Sequence, residues 1–297
     1  ITADWVKYLL DPVLEKGYQF VSPVYLRHKY DGTITNNIVY NLTRALYGKR
    51  IRQPIGGDFA ISGDVAKFYS EQEVWDTDVA RFGIDIWMTT SAITQGFRIC
   101  QSNLGVKIHD AKDPGQHLGP LFRQVLSALF SLMERYEGYW KKVQGSEPLE
   151  TFGFEGHVEP EPVNVNLEGL IELFKTGYQQ FSALWKEIFI EECFNQITVT
   201  AQMDSSRFYL PTDVWVRILY ELGATFHGWQ VNRTKLLDLM TPLYFARVAS
   251  FVRQIREMSS LEAEVLVEEQ AQKFEDQKDY LIKVWDQKSA EMAKASA

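Results

Sequence analysis

The sequence predicts an α/β segment followed by a mainly α-helical region. Two runs rich in β-branched and aromatic residues, 19–25 and 98–109, read as strands with helical patterns between them. Residues 145–166, GSEPLETFGFEGHVEPEPVNVN, mix Gly, Pro and Glu without periodicity and mark a loop or linker. Beyond it the apolar stripes have helical spacing. The expected division is therefore 1–144, a linker at 145–166, and a helical region at 167–297.

Thr2 or Asp4 can cap a first helix with Trp5, Val6, Leu9 and Leu10 on one face, and Gly17 is its natural stop. A strand comes next over 19–25. Asp31-Gly32 signals a turn, and Thr33, Thr35, Asn36 and Asn37 gather hydroxyls and amides at the start of an apolar helix over 38–47. Unpaired N–H groups and the helix dipole make such a start an anion site. After the loop over 50–58, RIRQPIGGD, a short helix is expected over 62–68 and a longer one over 79–94. The strand over 98–109 alternates Leu104, Val106 and Ile108.

From His117 onward Leu118, Leu121, Phe122, Val125, Leu126, Leu129, Leu132, Met133 and Tyr136 keep the spacing of one buried helical face. Past the linker, Leu170, Phe174, Tyr178, Phe181, Trp185 and Ile188 form a second stripe. Pro211 and Gly223 frame a third around Val214, Trp215, Ile218 and Leu219, and a helix beginning after Pro242 carries Tyr244, Val248, Phe251 and Ile255. A last helix from about Ser259 presents Val267, Ala271, Phe274, Leu281 and Trp285, a seam interrupted by Lys278 and expected to dock on its own domain.

The 297 residues suffice for one large or two modest domains with a real core. A net charge of −8 argues against nucleic acid and anionic membrane surfaces as partners. Cys100 and Cys193 lack disulfide-framework or zinc-ligand spacing and read as reduced, buried thiols. No apolar run reaches the length of a membrane span and no secretion signal is evident, so a cytoplasmic protein is expected.

Three features between Arg50 and Asp110 suggest chemistry. Gly56 and Gly57 beside Asp58 allow a ligand close to the backbone. Asp85 lies among Phe82, Ile84, Ile86 and Trp87, where a carboxylate must be either satisfied or used. His109 closes the second strand. Singly, these have plainer readings as a turn, an outward-facing helix residue and a loop residue.

Their order and spacing resemble the acceptor half of GT-A glycosyltransferases, in particular the glucosyl-3-phosphoglycerate synthase and mannosylglycerate synthase group, over residues 1–123. The resemblance implies the C-terminal part of a GT-A, Rossmann-like domain followed by the helical region. It implies that Gly32, Thr33 and Thr35 bind the acid group of the acceptor. Threonine at 33, where glucosyl-3-phosphoglycerate synthases carry arginine, points to an acceptor without phosphate, such as glycerate. Arg52, Gln53, Pro54, Ile55, Gly56, Gly57 and Asp58 match a sugar- and acceptor-lining loop, with Asp58 shortened from Glu. Asp85 matches the acid of the next helix, also shortened from Glu, and His109 matches a metal-binding histidine. The implied activity is a retaining, Mg²⁺- or Mn²⁺-dependent hexosyltransferase that moves glucose or mannose from a nucleotide sugar to glycerate or 3-phosphoglycerate. Asp85 and Asp58 would be its catalytic acids, the metal acting as a Lewis acid on the leaving diphosphate.

Asp76-Thr77-Asp78 copies the metal-binding DxD of these enzymes, but SEQEVW before it is no strand. The ITADWV start resembles the helix that succeeds the family's DxD, so the protein is expected to begin earlier. This stretch is then expected to be inactive alone and prone to association, with a homodimer among its forms. The competing reading is a non-catalytic helical interaction protein, with the N-terminal glycines as turns.

Overall fold

The computed structural model describes residues 2–107, 119–156, 158, 160–229 and 232–295. They form two compact units, one from Ile1–Ala111 with Arg135–Val163 and one from Lys112–Glu134 with Asn164–Ala297.

In the first unit α1 (Ala3–Lys16) starts where expected, with Thr2 Oγ1 accepting from the Trp5 N–H at 3.2 Å, and stops at Gly17, φ +70°. β1 (Phe20–Leu26) comes after it. The next helix begins earlier than the apolar pattern suggests, with a π-helical turn over Thr35–Val39 leading into α2 (Tyr40–Tyr47). β2 (Ala60–Ile61) and α3 (Gly63–Ser70) come next. A 3₁₀ turn over Asp78–Ala80 then precedes α4 (Ile84–Thr94), which is shorter than the 79–94 expected. β3 (Ile99–Val106) matches the second strand. After α5 (Gly119–Arg135), most of which belongs to the second unit, come α6 (Glu137–Trp140) and β4 (Thr151–Gly153).

The sheet is mixed, in the order β2-β1-β3-β4, with β1 and β4 parallel to β3 and β2 antiparallel to β1. Alternation along the strands turns Val21, Ala60 and Cys100 to one face, where with Tyr18 they form a buried cluster against which Phe152 and Leu9 and Val13 of α1 pack. α1 touches all four strands, and the Ser102 hydroxyl donates to the Tyr8 carbonyl at 2.8 Å.

The division expected at 144 and 166 differs from this arrangement. Residues 151–153 are an edge strand, bracketed by Gln101 N–H to the Glu150 carbonyl at 2.9 Å and Phe154 N–H to the Asn103 carbonyl at 2.8 Å. A strand of three residues is too short to show alternation.

Among its described residues the second unit has helices and no strand: α5 up to Glu134, α7 (Leu167–Ile188), α8 (Glu191–Gln202), α9 (Thr212–Gly228), α10 (Arg233–Gln254), α11 (Ser260–Asp276) and α12 (Lys278–Ala295). α5 packs Phe122 on Tyr244, ring centroids 4.6 Å apart, and Phe130 on Phe226 at 5.4 Å. Pro242 does not open a helix as expected but lies inside α10. Gly177 of α7 faces its ring so closely that a Cβ would come within 2.3 Å. The C-terminal seam is buried as expected and packs on α9, but it is carried by two helices parted at Gln277. Among the described residues no helix is long and apolar enough to cross a membrane.

Candidate functional site

The C-terminal ends of β1 and β3 lie side by side, with Leu26 opposite Val106. In open α/β sheets the carboxyl ends of parallel strands are where ligands bind. Between the pairs Val24–Asn103 and Leu26–Val106, β3 holds one residue more than β1. Gly105 takes the bulge at φ +78°, and its N–H donates to the Asn103 side chain at 3.0 Å. An extra residue reverses the facing of the residues after it. Lys107 is thereby brought 4.2 Å over the Tyr25 ring, and its ammonium donates to the Gly56 carbonyl at 3.0 Å.

The loop from Arg52 to Asp58 is fastened to this sheet end. Arg52 N–H donates to the Gln101 side chain at 2.7 Å, the Gln53 amide to the Tyr25 carbonyl at 2.8 Å, and the Thr89 hydroxyl of α4 to the Pro54 carbonyl at 2.7 Å. Gly56 lies flat on Pro23, where a Cβ would meet the ring at 2.4 Å. Gly57 adopts φ +94°, and a Cβ there would stand 4.0 Å from Asp85 Oδ2, so its bare backbone leaves the approach to that carboxylate clear.

Three acids and two bases meet here. Asp58 accepts from the Tyr25 phenol, whose proton is held above its ordinary range by burial and by that carboxylate. Asp85, in the first turn of α4, takes no hydrogen bond from any described residue. Burial raises its pKa from 3.8 to about 6; the Lys107 charge pulls it down and the Asp58 charge pushes it up. Burial, then the Arg27 charge, lowers the Lys107 ammonium below its ordinary value, against the pull of Asp58, Asp31 and Asp85. Arg27 stacks over Tyr25 at 5.6 Å and pairs with Asp31 at 3.1 Å. A half-buried carboxylate that no described residue hydrogen-bonds, with an ammonium acting on it, can orient a hydroxyl and take up its proton.

The structure thus groups Asp85, Asp58, Gly56 and Gly57 of the expected residues, with Ile55 half-buried beside them. The acid-binding loop is reached through Arg27, which donates to the Gln53 side chain at 3.2 Å and passes 3.6 Å from the Cβ position of Gly32. Arg52 donates to the Asn36 side chain at 2.8 Å and stacks over Tyr40 at 5.3 Å. Thr33 and Thr35 are only 3% and 7% exposed. The Gly32 N–H is already given to Asp31 Oδ1 at 2.7 Å, so the chain's own carboxylate occupies part of the expected anion site. Fixed positive charge at this sheet end comes instead from Arg27 and Lys107.

Tyr25, Arg27 and Lys107 are site residues that sequence pattern does not single out. The lone Gly105 inside a strand pattern is the signal for the bulge that places Lys107. Asp76-Thr77-Asp78 lies off any strand end, as expected, between α3 and α4; the Thr77 hydroxyl donates to the Val74 carbonyl at 2.6 Å and fixes a turn. His109, the expected metal ligand, lies outside the described residues. Among the described residues no three His, Cys, Asp or Glu side chains are grouped to hold a metal ion. Compared with known proteins, the chain matches no protein-family model and no curated protein.

Proposed function

We propose that this chain provides the acceptor side of a hexosyltransferase moving glucose or mannose from a nucleotide sugar to a small hydroxy acid such as glycerate or 3-phosphoglycerate. The observation that carries the reading is Asp85: a half-buried carboxylate with no hydrogen-bond donor among the described residues, facing the bare backbone of Gly57 at the ends of two parallel strands. In the proposed reaction Asp85 accepts a hydrogen bond from the acceptor hydroxyl and aims its oxygen at the anomeric carbon. The new C–O bond forms as the bond to the diphosphate breaks, the diphosphate leaves with the electron pair, and the hydroxyl proton passes to the Asp85 carboxylate. Lys107 and Arg27 lie where they can hold the acceptor's acid group. Mg²⁺ or Mn²⁺ belongs to the donor side of the proposal, through His109.

The test is turnover of UDP-glucose, GDP-glucose and GDP-mannose with glycerate and 3-phosphoglycerate, measured on the product of the complete reading frame that encodes this chain. Transfer that Asp85→Asn leaves unchanged, or no transfer to either acceptor, overturns it.

Lys107→Met supplies a second readout. Losing a charge-assisted contact to the acceptor acid should raise the acceptor KM by about tenfold or more. Because the Lys107 charge lowers the Asp85 pKa, its loss should also move the acid limb of the pH–rate profile from about 6 to higher pH. A changed KM with an unmoved acid limb would separate Lys107 from Asp85.

A further inference from the structure

Between α3 and α4 the chain forms an open surface cavity of about 500 Å³, lined by Trp75, Asp76, Thr77, Ala80 and Arg81. We propose that this cavity is a hexose-binding subsite. Trp75 leaves 45% of its surface exposed, yet its indole is anchored edge-on against Trp87 at 5.7 Å, and Trp87 itself is buried. An aromatic plate fixed at its back and open in front suits the C–H face of a pyranose ring.

Among the described residues neither the Asp76 carboxylate nor the Arg81 guanidinium makes a side-chain hydrogen bond or ion pair. One only accepts and the other only donates, which matches a rim of sugar hydroxyls able to do both. The cavity holds one charge of each sign, so neither an anion nor a cation is favoured, and its wall is too polar for an apolar guest. The Thr77 hydroxyl is committed to the Val74 carbonyl and the Val79 N–H and serves only to shape the turn. Three residues past Arg81 the chain enters α4, whose first turn carries Asp85. The subsite rests on the transferase reading for its role, and on its own residues for binding.

The experiment is saturation-transfer NMR on the full chain with methyl α-D-glucopyranoside and methyl α-D-mannopyranoside, and with glycerol as the control polyol. Saturable binding of at least one glycoside is expected, weakened about tenfold in Trp75→Ala and partly retained in Trp75→Phe. The double variant Asp76→Ala/Arg81→Ala, at exposed positions clear of the Trp87 packing, should weaken binding as well. The subsite is overturned if no glycoside binds, if glycerol competes equally, or if a folded Trp75→Ala and the double variant both keep wild-type affinity. Asp85→Asn should leave this binding intact; failure of the turnover test with binding preserved would count against the transferase reading alone.

Discussion

Asp85→Asn is expected to make the protein more stable at pH 8 while lowering kcat/KM for the proposed transfer about a hundredfold or more. The stability effect comes from the direction of the pKa shift. A rise from 3.8 to about 6 means that between these values the folded state binds more protons than the unfolded one. Stability on this account is full below pH 4, declines as pH rises through 6, and stays reduced above. The shift corresponds to about 3 kcal/mol at ~1.36 kcal/mol per unit, and partial exposure of the carboxylate reduces this to about 2 kcal/mol. An uncharged amide of the same shape removes that cost, so the melting temperature of the sheet-bearing unit should rise by about 4–8 °C at pH 8 and hardly change at pH 4. Thermal unfolding of both forms across pH 4–8 is the check. Equal melting temperatures throughout would show that Asp85 is satisfied in the folded protein and is no functional acid.

The second large effect is expected at Gly56. An alanine Cβ there would stand 2.4 Å from the Pro23 ring and 3.2 Å from the Gln53 carbonyl, and neither a proline in a strand nor backbone can yield cheaply. The loop must then lift from β1, moving the Gly56 carbonyl that holds Lys107 and the Asp58 that holds Tyr25. A loss of about 3 kcal/mol is expected, seen as a fall of roughly 6–12 °C in melting temperature. Carboxyl ¹³C NMR should show the Asp85 pKa returning toward 3.8 as the enclosure opens. A Gly56→Ala protein with both properties unchanged would mean that the loop does not rest on Pro23.

The parts of this fold legible in the sequence are those where a pattern repeats. β1, β3, α1 with its Thr2 cap and Gly17 stop, and the apolar stripes of the helical unit all extend over enough residues for a period to show. β2 and β4 have two and three residues, so nothing periodic announces them, and β4 lies in a Gly- and Pro-rich stretch that otherwise reads as a linker. Pro242 reads as a helix start because proline removes a backbone donor; only the bare Gly177 packed against its ring reveals how α10 runs through it. In the site, Asp85 and the glycine pair are visible because a carboxylate among Ile and Trp, or adjacent glycines, is locally out of place. Lys107 and Tyr25 are not, since a lysine or tyrosine at a strand end is ordinary until a bulge turns one over the other.

The interleaving of the two compact units has a consequence for synthesis. The strand that completes the sheet, β4, emerges after α5, and the sheet-bearing unit continues to Val163. N-terminal units usually fold as they leave the ribosome, at about 5–20 residues per second. Here α5, with Phe122 and Phe130, is translated before either the last strand of one unit or the α9 and α10 helices that cover it in the other. For some seconds of translation the nascent chain therefore presents an apolar helix without its partners, a stage at which a holding chaperone would act. Any expression boundary placed within 145–166 would make that stage permanent for α5, since it separates α5 from α9 and α10, and a boundary before Thr151 also cuts β4 from the sheet it closes.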